Sequence, residues 1–173
     1  MSRSYLAALP AASVVLRILI VLNWLVGAAF LALLVVAPNE QWIMTAYKLS
    51  PSPEAERLIL GLRVIVVLIL GMIPLNHVVL KRLLAIVETV RAGDPFVATN
   101  AYRLRAIAWV LLAAQLLSLV IGAIAEALST PARPVDVDAG FSISGWLAVL
   151  LTFVLARVFA GGELMRQDLR GTI

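Results

Sequence analysis

The stretch ILIVLNWLVGAAFLALLVVA, residues 18–37, decides the fold of this chain. It contains no charged side chain, and Pro38 follows it directly. At about 1.5 Å per residue, a helix of this length crosses the ~30 Å hydrocarbon layer of a bilayer. The stretch also exceeds the apolar core of a secretory signal peptide, so we expect it to be retained as a membrane helix.

The rest of the chain repeats this character. Apolar residues make up 62% of the sequence and charged residues 14%, whereas about a quarter of an ordinary soluble domain is charged. The further apolar runs show no alternation, which argues against membrane strands. The sequence therefore predicts an all-α integral membrane protein, a single domain with four transmembrane helices. The predicted spans are 18–37, 58–80, 107–128 and 143–160, with a connecting loop at 81–106 and a tail at 161–173.

The lysines and arginines predict the orientation. Four spans place both termini and the 81–106 loop on one side of the membrane. That side holds ten of the 14 lysines and arginines, and the basic side of a membrane protein faces the cytoplasm. Both termini are therefore predicted to be cytoplasmic. The ten are Arg3, Arg17, Lys81, Arg82, Arg91, Arg103, Arg105, Arg157, Arg166 and Arg170; the other four are Lys48, Arg57, Arg63 and Arg133.

Local signals mark several helix ends. Ser52 followed by Pro53 and Glu54 is typical of a helix start, with a capping serine, proline at the first helical position and an acid in the first turn. An apolar stripe continues along the same helix to Val90, and the turn Gly93-Asp94-Pro95 should then end it. The pair Gly161-Gly162 is expected to end the fourth helix.

Small residues recur every fourth position on the third and fourth predicted helices. Such rows let helix backbones approach closely, which favours association in lipid. We therefore expect these two helices to pack as a pair. The row on the third helix is Ala114, Ser118 and Gly122, and the row on the fourth is Ala148, Thr152 and Ala156.

The sequence offers few groups for catalysis or metal binding. It has no cysteine, and its only histidine is His77. It also lacks a nucleophile elbow, a glycine-rich phosphate loop and paired carboxylates at useful spacing. No carboxylate lies at mid-depth in a predicted span, which disfavours an ion-coupled transporter. The sequence predicts a protein that is not an enzyme and has no catalytic, cofactor or metal site.

The connection VRAGDPFVATNAYRLRA, residues 90–106, combines a Gly-Asp-Pro turn, a lone phenylalanine, an asparagine and a cluster of arginines. One interpretation is a loop at the membrane surface. In it, Thr99 or Asn100 caps a helix that begins at Ala101, and the arginines lie near lipid phosphates. The other interpretation is a docking site for a soluble partner. For docking, the tail 161–173 would contribute as well. The candidate docking residues are Gly93, Asp94, Pro95, Phe96, Asn100, Arg103, Arg105, Leu164 and Arg166.

Two segments resemble a known family. The stretch RAGDPFVATNAYRLRAIAW and the terminal ARVFAGGELMRQDLRGTI are similar to the bacterial membrane family known as domain of unknown function 2975. The resemblance lies in Gly93, Pro95, Phe96, Asn100, Arg103, Leu104, Arg105, Gly161, Leu164, Thr172 and Ile173. It implies a four-helix protein of the bacterial cytoplasmic (inner) membrane, often encoded beside a small helix-turn-helix regulator.

Two functional hypotheses follow. The first is a multi-pass membrane anchor or regulator that docks a small cytosolic helix-turn-helix partner, without binding nucleic acid itself. The alternative is an accessory structural subunit of a larger membrane complex. A small transporter is a third, weaker hypothesis.

Overall fold

A computed structural model describes residues 3–36, 44–45, 52–93, 97–131, 134–135 and 137–170. In the first range side chains are described only for residues 9–35, and in the last range only up to residue 162. Four long helices make up most of these residues. They are α1 (Arg3–Val36), α2 (Pro53–Arg91), α3 (Ala98–Leu128) and α4 (Ile143–Arg170). The predicted all-α class is therefore confirmed for the described part of the chain.

All four helices are long and apolar enough to cross a membrane. Their most apolar windows have mean hydropathies from 2.0 to 2.7. Large apolar side chains are nevertheless left uncovered by protein; Ile18 and Leu25 on α1, for instance, are 59% and 60% exposed. Apolar surface on this scale is characteristic of a chain whose solvent is lipid.

The predicted ends of α2 are confirmed. The Ser52 hydroxyl accepts a hydrogen bond from the Ala55 amide at 3.2 Å, and Pro53 is the first helical residue. At the other end, Gly93 has φ +88°, a left-handed conformation that costs a residue with a Cβ about 1–2 kcal/mol. The helix ends at Arg91, directly before the turn that contains Gly93, as predicted.

Two predicted helix limits need correction. Helix α3 begins at Ala98, not Ala101, so Asn100 lies within the helix. The backbone N–H of Asn100 donates to the Val97 carbonyl oxygen at 2.8 Å. Helix α4 continues through Gly161-Gly162 to Arg170. Each glycine costs a helix about 1 kcal/mol, but the following residues Glu-Leu-Met-Arg-Gln are all good helix formers.

The chain divides into two compact units, which we describe separately. The first comprises Met1–Asn23, Leu75–Ala113 and Ile143–Ile173, and the second comprises Trp24–Pro74 and Ala114–Ser142. All ten cationic residues that the sequence assigns to the cytoplasm belong to the first unit, and the other four belong to the second. The division by packing thus coincides with the division by charge.

The second unit has a continuous apolar core between α2 and α3. Ile65, Ile121 and Ala125 are buried there, and Val135 and Val137 from the segment before α4 pack on them. This segment therefore covers the α2–α3 seam.

Two small residues of α3, Ser118 and Gly122, leave room for the same segment before α4. The Ser118 hydroxyl accepts a hydrogen bond from the Gly140 amide at 3.1 Å, and it lies 3.4 Å from the Gly140 carbonyl oxygen, to which it donates. A Cβ added to Gly122 would lie 2.6 Å from the Gly140 Cα. Ser118 and Gly122 thus support a close backbone approach, as their spacing suggested. The group they meet is the 139–140 backbone rather than the α4 row named from the sequence.

The α4 row is only partly covered. Ala148 is exposed, and the Thr152 hydroxyl donates to the Ala148 carbonyl oxygen of its own helix at 2.7 Å. Ala156 is buried at 7% exposure. Ala114 on α3 is half-buried.

Within the first unit, α3 and α4 contact each other through Trp109 and Phe153, whose rings meet edge to face with centroids 5.4 Å apart.

Candidate functional site

The candidate site lies where α2 ends and α3 begins, and a buried asparagine is at its centre. Asn100 is completely inaccessible to solvent. Its Nδ2 donates to the Thr89 Oγ1 at 2.7 Å, and its Oδ1 accepts from the Arg103 Nη1 at 2.9 Å. Both ends of the amide therefore have partners, as a buried polar group requires.

Arg103 and Thr89 extend these bonds to the α2 backbone. The Arg103 Nη1 also donates to the Ala85 carbonyl oxygen at 3.1 Å, and the Thr89 hydroxyl donates to the Ile86 carbonyl oxygen at 2.7 Å. Two of these four hydrogen bonds, Asn100–Thr89 and Arg103–Ala85, connect the last turns of α2 to the first turns of α3, and the other two fix Arg103 and Thr89 within their own helices. We call Thr89, Asn100 and Arg103, with the Ala85 and Ile86 carbonyls, the polar clamp.

Helix α1 contributes weaker contacts to the same unit. The Arg91 Nη1 lies 3.4 Å from the buried Ser13 hydroxyl, which itself donates to the Pro10 carbonyl oxygen at 2.7 Å. Arg17 and Glu88 form an ion pair at 3.4 Å whose side chains are 66% and 49% exposed. Exposed pairs of this kind contribute about 0–1 kcal/mol, so the clamp is the stronger constraint on the connection.

Above the clamp lies a small exposed surface, which we call the tip face: Gly93, Ala98, Thr99, Tyr102 and Arg105. Tyr102 is 68% exposed, and the guanidinium of Arg82 lies 5.9 Å from the centre of its ring. This is near the outer limit of a cation–π contact. The tip face therefore combines an aromatic ring with positive charge on a backbone that the clamp holds in place.

The predicted docking residues separate into three groups. Gly93 and Arg105 are exposed on the tip face, whereas Asn100 and Arg103 belong to the clamp beneath it. The clamp residues can therefore orient a docking surface, but Asn100 cannot form part of it. Asp94, Pro95 and Phe96, together with the side chains of Leu164 and Arg166, lie outside the described residues.

A cleft of about 520 Å³ lies beside the tip face, between α3 and α4. Arg105 and Arg157 line it, and the Trp109–Phe153 contact lies alongside them. Ala156 and Ala160 leave the space open because neither side chain extends beyond Cβ. With Tyr102 at its edge, the cleft is bordered by two cations and three aromatic rings.

The described residues offer nothing recognisable as a catalytic or metal centre. No group of three or more His, Asp or Glu residues among them could hold a metal ion. What the site can do chemically, on the geometry shown, is present cations, aromatic rings and a pre-formed surface to a ligand.

Comparison with known proteins adds no relative. No family model matches the chain, no curated protein is similar to it, and no solved structure matches its fold. The resemblance noted from the sequence therefore stays a prediction.

Sequence reasoning missed Thr89 and the cleft. Thr89 contributes through a bond to a residue of another helix, and such pairs have no sequence spacing of their own. The cleft did leave a signal, because an aromatic residue lies four positions from an arginine on each helix: Arg105 with Trp109, and Phe153 with Arg157. Residues four apart share a helix face, so both pairs could have been recognised as interfacial.

Proposed function

We propose that this chain is a multi-pass protein of a bacterial cytoplasmic membrane that holds a small cytosolic partner, of helix-turn-helix type, at the tip face. In this proposal the termini, the tip face and the end of α4 are cytosolic. The partner contacts DNA and this chain does not. The observation that carries the proposal is the polar clamp, which joins the end of α2 to the start of α3 through hydrogen bonds around a buried amide.

The length of α2 supports a tip that projects from the membrane. At about 1.5 Å per residue, its 39 residues extend about 58 Å, whereas the hydrocarbon layer is ~30 Å thick. A spanning segment of about 20 residues takes up roughly half of α2, so several turns are left to extend beyond the hydrocarbon. Those turns carry Lys81, Arg82, Glu88 and Arg91, which favour water or headgroups over lipid tails.

The clamp supports docking because it reduces the cost of binding. Ordering a flexible loop on association costs roughly 0.5–1.5 kcal/mol for each side chain immobilised. Helix ends that are already joined through a buried, hydrogen-bonded amide avoid part of that cost. A pre-formed surface with an exposed tyrosine and arginine also has the composition common in protein interfaces.

The test is affinity purification of the full chain from native membranes in a mild detergent. The variant is Thr99→Arg, which places a bulky cation on the tip face while leaving every clamp residue in place. We expect the wild type to retain a soluble protein with a helix-turn-helix domain, identified by mass spectrometry. The variant should retain at least about tenfold less, the effect of losing one hot-spot contact of ~1.4 kcal/mol.

The matched control is Thr130→Arg, the same substitution at an exposed residue of the second unit. It should retain the partner at the wild-type level. Equal retention by the tip variant and the control would contradict docking at the tip face. So would the absence of any soluble protein from the wild-type sample.

The alternative, an accessory subunit of a membrane complex, is supported by Ala148. This member of the α4 small-residue row is exposed, so the row is open to a further helix. The same purification separates the two functions. A lipid-embedded companion that is lost from an Ala148→Trp variant, and not from the tip variant, would favour the accessory subunit.

A further inference from the structure

We propose that the cleft between α3 and α4 binds the headgroup of an anionic phospholipid, with Arg105 and Arg157 contacting its phosphate. The ligand chemistry is a phosphodiester that carries acyl chains. This goes beyond partner docking, although it relies on the membrane placement proposed above. It does not depend on which side of the membrane the tip faces.

The charge of the cleft carries the first step. Arg105 and Arg157 are both exposed, and neither forms an ion pair or hydrogen bond with another described residue. None of the described residues that line the cleft is acidic. Two guanidinium groups without a counter-ion among the described residues favour an anion, and guanidinium geometry matches phosphate oxygens in particular.

The position of the two arginines supports a lipid as the source of that phosphate. Arg105 lies two residues before the predicted span 107–128, and Arg157 lies three residues before the end of the span 143–160. The two helices enter and leave the bilayer on the same side, so both guanidinium groups lie near one headgroup layer. Basic pockets between helices at this depth are common binding sites for anionic lipid headgroups.

The aromatic residues supply the second part of a lipid site. Trp109 is four residues deeper than Arg105 on α3, and Phe153 is four residues deeper than Arg157 on α4. Their edge-to-face contact places apolar rings on the membrane side of the two cations. A phosphate held by the arginines would therefore direct its acyl chains past Trp109, which is 56% exposed. Tyr102 precedes Arg105 on α3, on the side away from Trp109, and is 68% exposed. It has the amphipathic character of a residue at the membrane interface.

The size of the cleft suits a headgroup. Its volume of about 520 Å³ falls within the roughly 300–1,000 Å³ of small-molecule sites. The space exists because alanines occupy positions 156 and 160. A larger side chain at Ala160, which is exposed, would fill the cleft without changing either arginine.

The experiment is native mass spectrometry of the full chain in mild detergent with equal amounts of phosphatidylglycerol and phosphatidylcholine. We expect the wild type to retain phosphatidylglycerol preferentially. Arg105→Gln with Arg157→Gln should weaken that retention about thirtyfold, because each arginine loses its attraction for the phosphate. Ala160→Phe should also weaken it while leaving the net charge unchanged.

The charge-matched control is Lys81→Gln with Arg91→Gln, which removes two cations of the same unit that do not line the cleft. It should retain phosphatidylglycerol like the wild type. A loss equal to that of the arginine pair would overturn the site in favour of diffuse surface attraction. Equal retention of both lipids by the wild type would also overturn it, as would displacement by inorganic phosphate of all the bound phosphatidylglycerol.

Failure of the membrane placement would be seen separately. In that case alkaline carbonate would release the chain from membranes, irrespective of which lipids it retains in detergent. A chain that stays in the membrane fraction but shows no lipid preference contradicts the lipid site alone.

Discussion

At the scale of the residue, Asn100 shows how strongly a buried polar side chain depends on its hydrogen-bond partners. Its amide is fully buried and bonded to Thr89 and Arg103. An unpaired buried donor or acceptor costs about 1–3 kcal/mol, and more when a charged group is involved. The three clamp residues are therefore interdependent, because removal of any one takes a hydrogen bond from at least one of the others.

Asn100→Ala should accordingly lower the free energy of unfolding by about 2–3 kcal/mol, since it leaves the Arg103 guanidinium with only the Ala85 carbonyl. The measurement is unfolding of the full chain in mixed detergent micelles with increasing dodecyl sulfate. Thr99→Ala is the control, because Thr99 is exposed on the preceding position of the same helix. Indistinguishable midpoints for the two variants would show that the clamp contributes nothing to stability.

A second prediction concerns two glycines, Gly93 and Gly161, at which substitution by alanine should change the stability in opposite directions. Gly93→Ala should destabilise the protein by about 1 kcal/mol because φ +88° is strained for any residue with a Cβ. Gly161→Ala should stabilise it by up to about 1 kcal/mol, since Gly161 lies inside α4 with nothing within 4 Å of an added Cβ. The same unfolding titration checks both. A shift of the same sign in the two variants would contradict the assigned conformations.

At the scale of the element, the segment before α4 is the least helical part of the described chain and yet contributes to the core. Val135 and Val137 cover the α2–α3 seam, and Gly140 meets the α3 backbone at Gly122. Gly140 itself has φ +122°, a conformation that favours glycine. The small residues of α3 are therefore complementary to a backbone, not to a second helix.

Gly122→Ala should disturb this contact, because the added methyl group would lie 2.6 Å from the Gly140 Cα. Overpacking of this kind costs typically 1–3 kcal/mol. We expect faster proteolytic cleavage within 129–142, measured on the full chain in detergent. Gly71→Ala is the matched control, since its added Cβ would make an ordinary 3.6 Å contact with Leu117. Cleavage at the wild-type rate in Gly122→Ala would mean that the segment does not pack on α3 as described.

At the scale of the whole molecule, the parts that could be predicted are those that depend on one helix at a time. Residues 18–37 predicted a spanning helix from composition alone, and Ser52-Pro53 marked the start of α2 from local hydrogen-bonding needs. The Gly161-Gly162 prediction was wrong because helix propensity beyond the pair outweighs the two glycines. The partner of Gly122 and the Asn100–Thr89 hydrogen bond could not be predicted from the sequence, because both depend on how each helix is rotated about its axis.

The orientation of the whole molecule gives the last prediction. The sequence has no cysteine, so a thiol introduced at one position is unique. Thr99 and Thr130 are both exposed and belong to different units, the first with ten cationic residues and the second with four. In intact cells treated with a membrane-impermeant maleimide, Thr99→Cys should stay unmodified and Thr130→Cys should react, because the more basic side faces the cytoplasm. After permeabilisation both should react to the same extent, which controls for accessibility of the thiols. Rapid modification of Thr99→Cys in intact cells would reverse the topology and remove the tip face from the reach of any cytosolic partner.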